Sequence, residues 1–257
     1  MFKRMSIELN QLVQYSDELL QSGQITDYCP NGLQVEGRPR VRRILCGVTA
    51  CQALLDEAVA WDADLILVHH GYFWKGEDSR IRGIKKRRLA TLLQHDISLL
   101  AYHLPLDVHP ELGNNVQLAK RLGLTIEGPL EPGNPRSVGL LGRLDSPESL
   151  ADFSARVARI LGREPQCIEG GGQPIERLAW CTGAAQGYIE QAVAQGVNAY
   201  LSGEISEPTV HSARENGIHY LAAGHHATER YGVQALAGHL AERFDLEWRF
   251  ADIDNPV

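Results

Sequence analysis

The chain alternates between two rhythms of apolar residues, one typical of helices and one typical of buried strands. Helical spacing predicts helices over residues 6–22, 52–61, 84–95, 114–122, 146–161, 186–195, 209–216 and 229–244. Short apolar runs predict strands over residues 41–48, 63–68, 97–102, 178–181, 199–202, 218–222 and 247–253. Strands that alternate with helices are typical of parallel sheets covered by helices. The pattern therefore predicts an α/β fold.

One helix start carries a specific signal, the segment SPES at the beginning of the helix predicted over residues 146–161. Serine is favoured as an N-cap, and proline is favoured at the first helical position, where its missing N–H costs nothing. We therefore expect Ser146 to cap this helix, with Pro147 and Glu148 in its first turn.

The two halves of the chain resemble each other in sequence. Residues 56–60 read DEAVA and residues 190–194 read EQAVA, at an offset of 134 positions. Two ordinary strand–helix–strand units with a shared hydrophobic rhythm would also look alike, but the near-identity at this helix end favours an internal duplication. The Pro- and Gly-rich stretch over residues 129–135 is typical of a linker. We therefore predict two related α/β domains, over residues 1–128 and 129–257.

Composition narrows the classes of protein to consider. No apolar run approaches the roughly 18–20 residues that a membrane span needs, and the first residues contain no apolar segment typical of a secretory leader. Five cysteines without regular pairing favour reduced thiols. We therefore expect a cytoplasmic protein that does not enter a membrane. The net charge of −7 argues against nucleic acid as a partner, although it allows a local basic patch.

The first candidate for chemistry is the pair of histidines that ends a predicted strand, in the segment LILVHHG. Ligands of open α/β sheets bind beyond the carboxyl ends of the strands, where His69 and His70 lie. Successive side chains of a strand point to opposite faces. Two adjacent histidines can therefore serve two ions side by side. The alternative is one packed histidine and one solvated histidine.

Two further segments place histidines and acids at equivalent strand ends. HLPLD contains His103 and Asp107, and GHHATE contains His225, His226 and Glu229. His225 and Glu229 are four residues apart, so they share a face if Glu229 opens or lies in a helix. Imidazole and carboxylate ligands together suit Zn, Fe, Mn, Ni or Co. We therefore predict a site for two divalent metal ions, roughly 3.5–4 Å apart. Scattered surface histidines are the alternative.

Other polar residues could support such a site or lie in solvent. Glu204 follows an equivalent strand end, and His211 lies on a predicted helix, so either could orient metal ligands, as could His103 and His226. The basic run over residues 80–88 is typical of a solvated helix face but could bind phosphate. The aromatic residues 72–74 could stack on a flat ring or pack at a subunit contact.

The motifs as a group resemble a known family, the NGG-interacting-factor-three-like proteins, also called GTP cyclohydrolase type 2 homologs. The resemblance extends over nearly the whole chain and rests on the segments PNGLQVEG, VHHGYFWKGE, HLPLDVHPELGNN, SGEISE and GHHATER. It implies two related α/β domains with a dinuclear metal site between them, and toroidal homohexamers. The ligands that it implies, with Glu229 bridging the two ions, are His69, His70, Asp107, His225 and Glu229.

Two functions follow from these expectations. The first is a metal-dependent hydrolase, resembling a cyclohydrolase, that acts on a nucleotide-like or other small heterocyclic compound, because two-metal sites usually serve hydrolysis. The second is a non-catalytic metal-binding or scaffold protein that forms a hexameric ring. A ring that threads nucleic acid is disfavoured by the acidic charge balance.

Overall fold

The computed structural model describes residues 6–257 of the chain. Residues 1–5 lie outside this range. They include part of the segment in which we expect no secretory leader. Within the described range, no helix combines the length and the apolar character that crossing a membrane requires.

Helices and strands follow one another along the chain. The strands are β1 Ile7–Glu8, β2 Gly32–Val35, β3 Arg40–Val41, β4 Arg43–Thr49, β5 Leu65–His70, β6 Ser98–Ala101, β7 Thr125–Pro129, β8 Leu140–Glu148, β9 Gln166–Ile168, β10 Ile175–Cys181, β11 Ala199–Ser202, β12 His219–Ala222 and β13 Glu247–Phe250. The α-helices are α1 Leu9–Leu20, α2 Gln52–Ala60, α3 Gly83–Gln94, α4 Leu104–Asp107, α5 Asn114–Leu122, α6 Leu150–Leu161, α7 Ile189–Ala194, α8 Glu207–Glu215 and α9 His225–Phe244. Short 3₁₀ turns precede β2 and α7.

The chain divides into two units, and each unit contains one large mixed sheet. The first unit comprises the described residues up to His109 together with Gly232–Asp254, and the second comprises Pro110–Tyr231 together with Asn255–Val257. The prediction of an α/β fold is therefore confirmed. Strand β7 pairs with β8 in the second unit, and β13 pairs with β4 in the first. The two domains expected over residues 1–128 and 129–257 stay a prediction.

The sheet of the first unit has the strand order β13-β4-β5-β6-β2. Its first four strands are parallel, and β2 pairs antiparallel with β6 at the edge. One face is covered by α2 and α3, whose Leu54, Leu55 and Leu92 are fully buried. The continuous apolar run of β5 fits a central strand covered on both faces.

The sheet of the second unit has the strand order β7-β8-β10-β11-β12-β9. The three neighbours β10, β11 and β12 are parallel, and the remaining strands pair antiparallel. Alternate residues enter two different cores, because successive strand side chains point to opposite faces. Trp180 and Leu201 belong to one core, whereas Tyr200 and Tyr220 belong to the other.

The sheets differ from the predicted parallel arrangement in β2, β7, β8 and β9, which pair antiparallel with their neighbours. The central strands β4, β5, β6, β10, β11 and β12 all overlap predicted strands. The antiparallel strands β2, β7 and β9 are short, and two of them contain Gly or Pro, so their sequences carry little strand signal. Pairing with a distant strand, rather than local pattern, places them in the sheets.

The predicted N-cap of α6 was wrong. Residues 146–148 extend β8, where Glu148 pairs with Ile175, and α6 begins after Ser149. The Ser149 side chain caps the helix by accepting a hydrogen bond from the backbone N–H of Asp152 at 3.1 Å. The segment SPES offers a serine at both ends, and strand pairing with β10 decides between the two. The last helix also begins four residues earlier than predicted, at His225.

Candidate metal centre

In the first unit, neighbouring parallel strands bring the predicted histidines to one edge of the sheet. Strand β5 ends with His69 and His70, and β6 is followed by His103. The strands are in register, with Val68 beside Ala101, so their carboxyl ends coincide. The short helix α4 then places Asp107 one turn beyond His103. The edge predicted to carry chemistry therefore gathers three imidazoles and one carboxylate.

The three imidazoles lie close together. The ring centroid of His69 is 4.6 Å from that of His70 and 5.0 Å from that of His103, and the remaining pair is 5.7 Å apart. One ligand nitrogen from each ring lies within 4.8 Å of the others. His69 is fully buried. Three nitrogens at these separations could hold one metal ion.

Each of these imidazoles is held through its Nδ1 atom. The Nδ1 of His69 lies 2.9 Å from the carbonyl oxygen of Tyr102, and that of His70 lies 3.1 Å from Oγ1 of Thr49. The Nδ1 of His103 lies 2.7 Å from the carboxylate of Asp27. Carbonyls and carboxylates only accept hydrogen bonds, so His69 and His103 donate from Nδ1, and a neutral ring then carries its lone pair on Nε2. This arrangement is typical of histidines that bind metals.

The distance between His69 and Asp107 fits ligands of a shared ion. Asp107 is 8% exposed, and its Oδ1 lies 3.5 Å from Nε2 of His69. Two ligands of one tetrahedral ion, each bonded at about 2.0–2.1 Å, lie about 3.3 Å apart. The pair needs only a small adjustment to share an ion.

Asp27 is a residue of this region that no sequence motif singled out. Burial by itself would raise the pKa of Asp27, but hydrogen bonds from His103 and Asn31 outweigh that effect and lower the pKa to about 2. The carboxylate also accepts from the backbone N–H groups of Tyr28 and Leu104. It is therefore ionised at neutral pH and fixes the orientation of the His103 ring.

In the second unit, an imidazole lies between two carboxylates. Helix α9 begins at His225, just beyond the end of β12, and Glu204 follows the end of β11. The Nδ1 of His225 lies 2.7 Å from Oε1 of Glu204, and its Nε2 lies 3.1 Å from Oε2 of Glu229. Glu229 is 3% exposed. The His225–Glu229 distance is again close to the separation of about 3.3 Å expected for two ligands of one tetrahedral ion.

The two carboxylates change the charge of His225. Burial by itself would lower the pKa of His225, but the hydrogen bonds and negative charges of Glu229 and Glu204 outweigh it and raise the pKa to about 9. The imidazolium therefore supplies positive charge to this cluster. A divalent ion would satisfy the same carboxylates with more charge, so these donors fit a metal.

Two glycines allow the backbone to approach these ligands. Gly183 has a φ of +69°, and a Cβ added there would lie 2.1 Å from Oε1 of Glu229. A Cβ added to Gly203 would lie 2.7 Å from the Cα of His225. Side chains at either position would displace a candidate ligand. Gly203 belongs to the segment SGEISE, whereas Gly183 has no sequence signal beyond its place at the end of a strand.

The other candidate residues lie in different surroundings. His211 is exposed on α8, with Nε2 3.0 Å from Glu207 of the same helix. His226 is 8% exposed, and its backbone N–H donates to the carbonyl of Val257. Within residues 6–257, neither histidine belongs to a group of three or more side chains that could hold a metal ion.

The basic run over residues 80–88 is partly neutralised by acids of its own segment. Arg80 and Arg82 pair with Asp78 at 2.9 and 3.0 Å, and Lys85 pairs with Glu77 at 3.2 Å. These pairs favour a solvated basic segment over a phosphate site.

The aromatic residues 72–74 divide between packing and the histidine cluster. The Tyr72 hydroxyl is buried and donates to the carbonyl of Ala50 at 2.9 Å, so this ring belongs to the core. The Trp74 ring lies 5.0 Å from that of His103 and 6.0 Å from that of His70. Trp74 is therefore the aromatic residue that borders the candidate ligands.

Together, fold and ligand chemistry define a mixed α/β protein whose clustered His, Asp and Glu side chains could hold metal ions. The sequence profile of the family Duf34/NIF3 (NGG1p interacting factor 3) matches residues 7–256. The chain belongs to this family, as its motifs predicted.

Relatives and solved structures agree with this assignment. A Pseudomonas aeruginosa protein named GTP cyclohydrolase 1 type 2 homolog is 66% identical over 253 residues, which cover 98% of this chain and 100% of the relative. An Escherichia coli protein of the same name is 53% identical over 251 residues, covering 97% of this chain and 98% of the relative. The structure of protein ybgI, described as of unknown function, superimposes with a TM-score of 0.94 at 51% identity, covering 98% of this chain and 100% of that one. A Thermus thermophilus structure gives a TM-score of 0.88 at 36% identity with the same coverage.

Proposed function

We propose that this protein binds two divalent metal ions and uses them to hydrolyse a nucleotide-like or other small heterocyclic compound. The ions belong to the group Zn, Fe, Mn, Ni and Co, which suits mixed imidazole and carboxylate ligands. The proposed ligands, with Glu229 bridging, are His69, His70, Asp107, His225 and Glu229.

One observation carries this proposal, the buried imidazole–carboxylate pair found in each unit. Nε2 of His69 lies 3.5 Å from Asp107, and Nε2 of His225 lies 3.1 Å from Glu229. Both separations are close to the value of about 3.3 Å for two ligands of one tetrahedral ion. Both carboxylates are at least nine-tenths buried, and burial of carboxylates is costly unless they are paired or bind a metal.

The chain's own residues would prepare the chemistry. A two-ion site supplies Lewis-acid activation of water when its ions are bound. The carbonyl of Tyr102 and the carboxylate of Asp27 hold two imidazoles in one tautomer, and Glu204 orients His225. Such outer partners fix ligand geometry and raise ligand basicity. Trp74 borders the histidines and would stack on a flat substrate ring.

The substrate class rests on the relatives. The Pseudomonas aeruginosa and Escherichia coli proteins are both named GTP cyclohydrolase 1 type 2 homolog. A cyclohydrolase opens a heterocyclic ring with water, which is compatible with two-metal chemistry. Ring opening of GTP and related nucleotides is therefore the first reaction to test.

We also propose that the two halves of the chain arose by internal duplication. Parallel three-strand cores occur in both units, as β4-β5-β6 and β10-β11-β12. His69 and His70 end the middle strand of the first core, and Gly203 and Glu204 follow the middle strand of the second. A duplicated unit would supply metal chemistry at the same strand end twice.

Metal analysis with substrate assays tests the proposal. The purified protein is stripped of metal, loaded with Zn, Fe, Mn, Ni or Co, dialysed, and assayed with GTP and a nucleotide panel. We expect two ions per chain and turnover that Asp107→Ala abolishes. His211→Ala is the matched control, because it removes an exposed imidazole beside a carboxylate and should change neither value. Fewer than two ions, or no turnover with any metal, would contradict the proposal.

A specific surface feature favours a second candidate, a self-associating metal-binding protein without catalysis. Four exposed large apolar side chains lie in the stretch 73–93 of the first unit: Phe73, Ile81, Ile84 and Leu93. Exposed apolar side chains that form a contiguous patch often mark interaction surfaces. We propose a homohexamer that uses this stretch.

Light scattering tests the assembly. We expect the wild-type mass to be six times that of the chain, and Ile84→Lys with Leu93→Lys to reduce it. Ile126→Lys, which alters an exposed isoleucine of the second unit, is the control. A wild-type monomer would exclude the assembly.

A further inference from the structure

We infer that strand β13 of the first unit pairs with the same strand of a second copy of this chain, antiparallel and with Trp248 of one copy opposite Trp248 of the other at a two-fold axis. The pairing joins the sheets of the two copies into one continuous sheet. The inference goes beyond the proposed function, because it uses neither the candidate metal ligands nor the exposed apolar stretch 73–93.

Strand β13 differs from the other edge strands of the two large sheets. Within residues 6–257, these edges are β13 and β2 in the first unit and β7 and β9 in the second. The pairing of β2 and of β7 shifts register, β7 also ends in Pro129, and β9 has only three residues. Bulges, prolines and short strands protect an edge from pairing with another chain. In contrast, β13 pairs with Arg43–Cys46 in a regular register and contains neither glycine nor proline.

The backbone of β13 offers hydrogen-bonding groups on the side away from β4. Glu247 donates its backbone N–H to the carbonyl of Arg42, which directly precedes β4, at 2.8 Å. Because the N–H and C=O groups of successive strand residues point in opposite directions, those of Trp248 and Phe250 point to the open side of the sheet. A regular edge of this kind is a template for another strand.

The charges of β13 identify the partner strand and its register. Glu247 and Arg249 flank Trp248, and their side chains point to the same face of the sheet. With Trp248 at the two-fold axis, Glu247 of each copy lies opposite Arg249 of the other, which gives two favourable pairs of opposite charge. With Arg249 at the axis instead, two like charges lie opposite each other, which destabilises a sheet. The strand is therefore complementary to its own reversed copy in the first register.

The side chains of β13 are accessible for this contact. Trp248 is 37% exposed, and Arg249 is exposed while its Cζ lies 4.6 Å from the centroid of the Trp61 ring. The Glu247 carboxylate lies 3.5 Å from Nε of Arg43, and this pair leaves the Glu247 side chain 37% exposed. Tryptophan is enriched at protein interfaces, where its large ring is removed from water. Pairing around the axis would cover the Trp248 rings of both copies.

The contact between β13 strands is separate from the contact proposed for the stretch 73–93. A closed assembly of six subunits with dihedral symmetry contains two-fold contacts in addition to three-fold contacts. Strand β13 would supply the two-fold contact of such a hexamer. If the hexamer does not form, β13 by itself predicts a dimer.

Charge reversal on the whole chain tests the pairing by light scattering. Glu247→Arg and Arg249→Glu each place like charges opposite each other, so each variant should halve the mass of the wild-type assembly, whether that assembly is a hexamer or a dimer. An equimolar mixture of the two variants should recover the wild-type mass, because each chain then meets opposite charges on the other. The double variant should recover it as well. Glu242→Arg, which alters an exposed glutamate of α9, is the matched control.

A cysteine at the proposed axis tests the register. Residues opposite each other in a hydrogen-bonded antiparallel pair have Cα atoms about 5.5 Å apart, within the roughly 4.4–6.8 Å that a disulfide spans. Mild oxidation of Trp248→Cys should therefore give a covalent dimer, whereas Ile126→Cys on the edge strand β7 should not. Circular dichroism and thermal unfolding establish that each variant is folded.

Three outcomes would overturn the inference. The first is a wild-type monomer, and the second is an unchanged mass in folded Glu247→Arg and Arg249→Glu proteins. The third is a loss of mass that neither the mixture nor the double variant restores. A wild-type dimer that shows the expected charge dependence would support the inference and contradict the proposed hexamer, so the two proposals can fail separately.

Discussion

The candidate ligand groups of the two units use the same orienting contact but face different partners. His103 in the first unit and His225 in the second each place Nδ1 2.7 Å from a carboxylate, that of Asp27 or Glu204. The imidazoles of His69 and His70 lie beside the His103 ring, whereas Nε2 of His225 lies 3.1 Å from the carboxylate of Glu229. An orienting carboxylate therefore does not by itself determine what a site binds.

The difference has a consequence for charge and metal preference. Carboxylates on both sides raise the pKa of His225 to about 9, so a proton occupies the second cluster when metal is absent. The candidate ligand group of the first unit consists mainly of the imidazoles of His69, His70 and His103. Imidazoles contribute no negative charge and favour borderline metals. We therefore expect ion binding in the second unit to depend strongly on pH and on each carboxylate.

The largest expected effect is that of removing the buried carboxylate of the second unit. Glu229→Gln keeps the shape but removes the charge of the proposed bridging ligand, so we expect at least one of the two ions to be lost, with affinity for it reduced more than ~100-fold. Elemental analysis after dialysis measures the stoichiometry. Glu207→Gln, an exposed glutamate of α8, is the matched control. If Glu229→Gln retained two ions, ion binding in the second unit would not depend on its buried carboxylate, and this difference between the two units would be excluded.

A smaller effect on ion binding is expected from a substitution that fills the space beside Glu229. Gly183→Ala places a methyl group 2.1 Å from Oε1 of Glu229 and forces alanine to a φ of +69°. The left-handed conformation alone costs roughly 1–2 kcal/mol. We expect the second ion to bind roughly 10–100-fold more weakly and the melting temperature to fall. Gly187→Ala, where nothing lies within 4 Å, should change neither, and equal losses at both glycines would argue against a specific role for Gly183.

The pH dependence of ion binding comes next in size. An ion that binds His225 must displace its proton, whose pKa is about 9. Affinity for this ion should therefore rise by up to about tenfold per pH unit below pH 9 and level off above it. Calorimetry in buffers of different ionisation enthalpy should detect release of close to one proton per ion at pH 7. No proton release there would contradict the charge assigned to the second cluster.

The smallest effect is expected from the orienting carboxylate of the second unit. Glu204→Gln can still accept a hydrogen bond from Nδ1 of His225 but lacks the negative charge, so affinity should fall about tenfold. The pH at which affinity levels off should also decrease, because Glu204 is one of the groups that raise the pKa of His225. An unchanged pH profile would show that Glu229 alone raises that pKa.

Much of the site could be predicted from sequence because its residues follow strands. His69 and His70 end a continuous apolar run, and parallel strands share a carboxyl edge, so their location follows from local pattern and topology. Asp27 could not be found in this way. It lies 76 positions from His103, in a loop whose composition indicates only a turn.

The sequence by itself determined the alternation of central strands and helices, the family, and the residue types gathered at the strand ends, because each depends on local periodicity or on short motifs. The tertiary structure alone decided that β2, β7 and β9 join the sheet edges and that Ser149 rather than Ser146 caps α6. It also decided that the backbone at Gly183 leaves space for the side chain of Glu229. These features depend on hydrogen bonds and close approaches between distant segments. Because folding creates such contacts by bringing distant segments of the backbone together, local composition does not predict them.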